Sequence, residues 1–136
     1  FWDGASYCLS EKNGTIIFIP KRTKERSYLK ELVFHELGHA FVHHYKIPKY
    51  ITRVFGKLTD ISYLNYQYRI MKHSSGNKSS GFVSRYAEVS PEEDFAETFS
   101  FVISGRRYFN EKEIYLNNDR LLKKKVNAVK RLLRIN

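Results

Sequence analysis

The sequence has almost no cysteine and no long apolar run, and each absence excludes a class of protein. Cys8 is the only cysteine among 136 residues, so no disulfide can form within the chain. A single cysteine fits a reduced cytosol, and it fits equally a secreted bacterial protein that does without disulfides. No apolar run reaches roughly 18 residues, so we expect no transmembrane segment.

Acidic residues are scarce beside basic ones, 14 against 24, and the formal net charge is +10. This charge favours nucleic acid, an anionic cell surface or acidic substrates as partners, and solubility alone explains it equally well. Hydrophobic residues make up 42% and aromatic residues 15%, which is typical of a globular chain. We expect one domain over residues 1–136, as a whole protein or as the C-terminal part of a longer one. Nothing in the composition indicates an oligomeric state.

Local patterns predict one hairpin and three helices. Asn13-Gly14 between two strand-like runs predicts a β-hairpin with its second strand at residues 15–19. Apolar residues at helical spacing predict helices over 24–45, 91–104 and 118–135. Caps are predicted at Thr23 or Ser27 for the first helix, and at Ser90 with Pro91 and Gly105 for the second. The stretch 61–71 fits helix or strand, Pro48 is expected to stop the first helical pattern, and 73–81 is a polar loop.

The first predicted helix carries VFHELGHAFVHH, residues 33–44, in which His35 to His39 match H-E-x-x-H. Two imidazoles four residues apart share one helix face and can bind one zinc ion. Glu36 points to the edge of that face, where it can take a proton from a zinc-bound water. The alternative is a surface helix whose histidines occur by chance.

Gly38 and two further histidines refine this hypothesis. A glycine inside a helix costs about 1 kcal/mol relative to alanine. Gly38 therefore predicts the close approach of another backbone, such as a strand passing the site. His43 extends the spacing of His35 and His39, but three such ligands would span about 12 Å of helix axis, too far for one ion. His44 lies on the opposite side, so a third ligand must come from elsewhere.

The second helix, SPEEDFAETFSFVI, offers that ligand. Glu93 and Glu97 are four residues apart, so one can bind zinc while the other accepts the N–H of a ligating histidine. We favour Glu93 as the ligand and keep Glu97 or Glu92 as alternatives. A purely structural interpretation also exists, because Ser90 to Glu93 forms a capping box in which Glu93 would bond back to the Ser90 N–H.

HELGH followed by SRYAEVSPEEDFAETF resembles the lethal-factor-type metallopeptidases, a family that includes the anthrax lethal factor catalytic domain and the Pro-Pro endopeptidases. The resemblance implies an α+β zincin-like fold of the gluzincin kind, with a small sheet or hairpin, a metal helix, a glutamate helix and a closing helix. It implies the following site: zinc ligands His35, His39 and Glu93, catalytic Glu36, Glu97 behind a ligating histidine, and an active-site tyrosine, Tyr86.

The function implied is that of a zinc-dependent endopeptidase acting on a peptide or protein. Tyr86 would donate to the oxygen that becomes negative during hydrolysis, or it would simply be one of ten tyrosines packing an aromatic core. The resemblance favours a secreted or cell-surface bacterial protein over a cytoplasmic one.

Two alternatives remain. One is a regulatory metallopeptidase that cuts a phage or mobile-element repressor. The other is a catalytically silent module that binds nucleic acid or an anionic surface through its positive charge and the Tyr/Arg-rich stretch 63–72. The basic amphipathic helix over 120–135 fits such a surface, but the resemblance favours its packing against the domain.

Overall fold

The computed structural model describes residues 5–9, 14–18, 26–58, 63, 80–104 and 119–134. The predictions for Thr23, 64–71, 73–79 and Gly105 lie outside the described residues. Among the described residues, no helix is both long and apolar enough to cross a membrane. The elements are β1 (Ala5–Leu9), β2 (Gly14–Phe18), α1 (Arg26–His44), α2 (Pro48–Lys57), a 3-10 turn (Tyr86–Glu88), α3 (Pro91–Ile103) and α4 (Arg120–Leu133).

The expected α+β fold is wrong, because the described part of the chain is built on helices. Every buried hydrophobic side chain that the structure describes lies on a helix or in the segment 80–90. β1 and β2 pair antiparallel with each other, Ala5 opposite Phe18 and Leu9 opposite Gly14, and the described residues add no third strand. A two-stranded ribbon is not a sheet layer on which a domain is built. The Asn-Gly signal reports a local turn and carries no information about the size of a sheet.

Helix α3 lies at the centre and contributes to two hydrophobic clusters. Phe101 belongs to the first cluster, with residues from the segment 80–90 and from α4, whereas Phe95 and Phe99 belong to the second, with residues from α1, α2 and α4. The first cluster contains Phe82, Val83, Ala87, Phe101, Leu122 and Val126. The second contains Val42, Ile51, Phe55, Phe95, Phe99 and Val129. Both faces of α3 are therefore covered by other helices.

The end of α1 explains why α2 was not predicted. Lys46 has a left-handed backbone with φ 53°, the Ile47 N–H donates to the Val42 carbonyl at 3.0 Å, and the Lys46 N–H donates to the His43 carbonyl at 3.1 Å. These two bonds are the Schellman ending of a helix. Pro48 then occupies the first position of α2, where its missing N–H costs nothing. The expectation that Pro48 only stops a helix is wrong, since here it also begins one.

Helix α4 packs against the domain, which confirms the packing interpretation of the basic C-terminal stretch. Leu122, Val126 and Val129 are buried, and the charged side chains of Arg120 and Lys124 are exposed. The Asp119 carboxylate caps the helix by accepting from the Leu122 N–H at 2.9 Å. The apolar face of α4 is therefore packed against the hydrophobic core.

A buried lysine joins α4 to α3. Lys125 is 0% exposed, and its Nζ donates to Asp94 Oδ2 at 2.6 Å and to the Gly81 carbonyl at 2.7 Å. The ammonium lies 4.0 Å from the centroid of the Phe82 ring, and the Tyr63 hydroxyl donates to Asp94 Oδ2 at 2.6 Å. Burial raises the pKa of Asp94 to about 6, against the opposing effect of Lys125. The ion pair is fully enclosed and held by several partners, as a buried charge requires.

Helices α1 and α3 run antiparallel and touch at Gly38. Ser100 Oγ donates to the Glu31 carbonyl at 3.2 Å, and one turn further along α1 the side chain of His35 meets that of Glu97. A Cβ added to Gly38 would lie 2.9 Å from the Ala96 Cα. The close approach predicted from this glycine is present, but the neighbouring backbone is a helix and not a strand.

We expect Gly38→Ala to destabilise the protein. Crowding a packed interior costs about 1–3 kcal/mol, more than the ~1 kcal/mol that alanine gains over glycine in a helix, because the group that must move is the Ala96 backbone. Gly56→Ala is the matched control, since Gly56 is an exposed helical glycine with no atom within 4 Å of its added Cβ. Denaturant unfolding of both metal-free variants measures the difference. Equal stabilisation by the two substitutions would contradict the packing.

Candidate metal centre

Three potential metal donors meet where α1 crosses α3. His35 Nε2 lies 3.1 Å from Glu93 Oε2, His39 Nε2 lies 3.3 Å from the same oxygen, and the two nitrogens are 3.1 Å apart. The histidines come from successive turns of α1 and the carboxylate from the first turn of α3. These three side chains form a group that could hold a metal ion.

The size of this triangle fits zinc. A tetrahedral zinc ion with bonds of about 2.0–2.1 Å holds its donors about 3.3–3.4 Å apart. The three observed separations, 3.1, 3.1 and 3.3 Å, are close to that spacing. Two imidazoles and one carboxylate are also ligands that zinc accepts, and they leave the fourth position of a tetrahedron open.

The Glu97 carboxylate contacts Nδ1 of His35, the ring nitrogen that does not face Glu93. Its Oε1 lies 2.6 Å from His35 Nδ1, so with a metal bound the ring proton would stay on Nδ1 and the Nε2 lone pair would point at the donor triangle. The other oxygen, Oε2, accepts from the Ser84 hydroxyl at 2.6 Å. A carboxylate behind a ligating imidazole fixes the tautomer and orientation of the ring.

The electrostatics of the site favour a positive charge. Burial alone lowers the pKa of His35, but hydrogen bonds to Glu93 and Glu97 outweigh burial and raise this pKa to about 10. Burial alone raises the pKa of Glu93, but His35 and His39 hold it far below its usual range. Burial, followed by the nearby charge of Glu97, raises the pKa of Glu31 to about 7. The carboxylates of Glu93 and Glu97, which stabilise a positive charge on His35, carry the sign of charge that a divalent cation requires.

Ser90 and Glu93 reconcile the two interpretations of the start of α3. The Ser90 hydroxyl accepts from the Glu93 N–H at 3.2 Å, so Ser90 is the N-cap that the sequence predicts. The Glu93 carboxylate lies against His35 and His39. The backbone of Glu93 therefore takes part in the cap while its side chain faces the histidines.

The structure does not bring the alternative donors to the triangle. Glu92 is exposed, and its Oε1 accepts from the Thr52 hydroxyl at 3.4 Å. Glu97 lies behind His35 and is not among the three donors. His43 and His44 are exposed at the end of α1, as expected from their spacing.

Glu36 and Tyr86 lie on the elements that form the site. Glu36 follows His35 on α1 and is 6% exposed. Tyr86 begins the 3-10 turn, and its ring centroid lies 5.6 Å from that of His35 at an interplanar angle of 45°. The structure thus brings the tyrosine to the histidine pair although 51 positions separate Tyr86 from His35 in sequence.

Ser84 is a polar side chain of the site that no sequence pattern indicates. It contacts Glu97 from 13 positions earlier in the chain. No periodicity links a residue in a loop to one in the middle of the next helix, so spacing could not reveal the pair. The nearest signal is the position of Ser84 two residues before Tyr86.

Two imidazoles and a carboxylate gathered at one point of a helical domain are a donor set that could hold a metal ion, as in metal-binding proteins. Residues 15–134 match the model of a family described as "Putative zinc-binding metallo-peptidase", and the chain belongs to this family. It is therefore a member of a zinc-binding metallopeptidase family, and the substrate class is peptide. The comparison with curated proteins gives no match, and the comparison with solved structures gives none either.

We expect Glu93→Ala to lose most of its bound zinc, because the substitution removes one of three donors. Glu92→Ala is the matched control, since this neighbour is exposed and faces Thr52. Metal analysis of wild type and both variants, purified without added metal, is the measurement. Equal zinc in Glu93→Ala and wild type would exclude Glu93 as a ligand, and loss of zinc in Glu92→Ala would support the alternative donor.

Proposed function

We propose that this protein is a zinc-dependent endopeptidase of the gluzincin type, with His35, His39 and Glu93 as zinc ligands. The observation that carries the proposal is the donor triangle with edges of 3.1–3.3 Å, backed by Glu97 on His35 Nδ1. Family membership supports a peptidase, and the geometry supports this particular ligand set. When bound, zinc would supply Lewis acidity to a water molecule and to the scissile carbonyl.

Glu36 is the proposed general base. It follows a ligand on the same helix, so its carboxylate leaves α1 at the edge of the face that carries the histidines. There it would accept a proton from the attacking water and later deliver it to the departing amine. The burial of Glu36, at 6% exposed, keeps bulk water from competing for that proton.

Tyr86 is the proposed oxyanion donor. Negative charge develops on the former carbonyl oxygen as water adds, and a phenol O–H aimed at that oxygen lowers the barrier. The contact between the Tyr86 and His35 rings, 5.6 Å between centroids, supports a place for the phenol beside the ligands.

The resemblance to lethal-factor-type metallopeptidases supports the same assignment. In that family a tyrosine precedes the ligand glutamate by seven residues, as Tyr86 precedes Glu93 here. A peptidase directed at a phage or mobile-element repressor would use the same chemistry on another substrate, and finding an intracellular repressor that the protein cleaves would favour this alternative. The silent-module alternative predicts no hydrolysis of any peptide library.

We expect Glu36→Gln to lower kcat by about 10²- to 10⁴-fold, the usual contribution of a positioned acid–base group, while zinc content stays at the wild-type level. Glutamine keeps the size of the side chain and cannot accept the proton. Hydrolysis of a library-selected peptide, with metal analysis in parallel, is the measurement. Turnover that survives the substitution would exclude this role for Glu36.

We expect Tyr86→Phe to lower kcat by about 10²- to 10³-fold, the effect of removing one oxyanion donor, with zinc content and KM nearly unchanged. Phenylalanine retains the ring beside His35 and removes only the hydroxyl. Steady-state kinetics of the zinc-loaded variant separates kcat from KM. An unchanged kcat would exclude Tyr86 as an oxyanion donor and leave it only a packing role.

A further inference from the structure

Ser84 connects the turn that carries Tyr86 to the carboxylate behind His35. The half-buried Ser84 hydroxyl donates to Glu97 Oε2 at 2.6 Å, a short bond to a charged acceptor. The same hydroxyl oxygen accepts from the Ala87 N–H at 3.1 Å. One hydroxyl therefore joins the 3-10 turn to the middle of α3.

These two bonds orient the serine proton. A hydroxyl has one proton to donate and lone pairs with which to accept. Because the Ala87 N–H uses a lone pair, the single proton of Ser84 is free to point at Glu97. Both oxygens of Glu97 are then engaged, Oε1 by His35 Nδ1 and Oε2 by Ser84. A carboxylate held at both oxygens cannot rotate away from the imidazole.

We propose that Ser84 is a positioning residue of the metal centre, acting on His35 through Glu97 and fixing the Tyr86 turn against the same carboxylate. The inference rests on the proposed function, because it gives His35 the role of a ligand. Ser84 touches neither the donor triangle nor a reacting atom, so its effect is on orientation. A serine that only capped the 3-10 turn would support Ala87 and would not need Glu97 at 2.6 Å.

The test compares zinc affinity in three variants by competition with a chelator. Loss of an outer partner of a ligand typically costs about 10–100-fold in affinity, and for Ser84→Ala, one bond further out, we expect a loss of about 3–10-fold. Ser104→Ala is the control, since the hydroxyl of this serine, at the end of α3, donates to the Phe101 carbonyl at 3.3 Å, and the variant should bind zinc like wild type. Wild-type affinity in Ser84→Ala would overturn the proposal.

Ser84→Thr separates the hydroxyl from the side-chain volume. Threonine keeps the donor, so we expect its zinc affinity to approach that of wild type. A loss as large as in Ser84→Ala would attribute the effect to packing and overturn the role of the hydrogen bond. Thermal unfolding of the metal-free variants is measured alongside, because a merely structural serine would change stability without changing zinc affinity.

A metal-free readout distinguishes failure of this inference from failure of the proposed function. The His35 Nδ1 proton, shared with Glu97 at 2.6 Å, should give a slowly exchanging downfield proton NMR signal, assigned by its absence in His35→Gln. We expect it to exchange faster in Ser84→Ala and to persist in Ser104→Ala. This result in a wild type that binds no zinc would keep the positioning role and overturn the zinc function. If the wild type binds zinc normally and the signal in Ser84→Ala is unchanged, the zinc function would stand and the positioning role of Ser84 would be overturned.

Discussion

The buried pair of Lys125 and Asp94 is the constraint on which the arrangement of the helices depends. A charge at 0% exposure is tolerated only where partners replace its lost water, and here a carboxylate, a backbone carbonyl and an aromatic ring do so. Removing one partner would leave the other buried and uncompensated. The pair therefore fixes α4 against the start of α3, at the residue next to Glu93. Helix α4, which supplies no metal donor, thus contributes to the placement of Glu93 by holding its neighbour Asp94.

From that anchor the site is assembled by helix packing. Helix α3 presents Glu93 and Glu97 on one side to α1 and places Phe101 in the cluster shared with α4. Glu93 lies against Nε2 of His35 and Glu97 against Nδ1. Both can reach the same ring because residues four apart lie on one face of α3, one turn from each other. The geometry of the donor triangle follows from two rigid helices and the contact between them. Tyr86 and Ser84 reach the site from the segment 80–90.

Local signals predicted much of this, and non-local contacts account for what was missed. Periodicity predicts α1 and α3 to within two residues at each end, and a spacing of four predicts which side chains share a face. The predicted cap Ser90 is confirmed for α3, whereas Ser27, an alternative cap for α1, lies inside that helix. The α+β class followed from the family resemblance together with the predicted hairpin, and it was wrong because a turn signal does not show how many strands assemble. Lys125 was indistinguishable from the solvated lysines around it, and α2 was missed because proline both ends and begins helices.

Gly38 also selects one of the two registers that the histidines would allow. His39 and His43 repeat the spacing of His35 and His39, so sliding α1 by one turn would offer Glu93 a second, equivalent pair of imidazoles. The same slide would bring Val42 to the place of Gly38, against the Ala96 Cα, where even a single Cβ lies at 2.9 Å. A branched side chain there would push the helices apart. The missing side chain at one position thus removes an ambiguity that a histidine-rich helix creates.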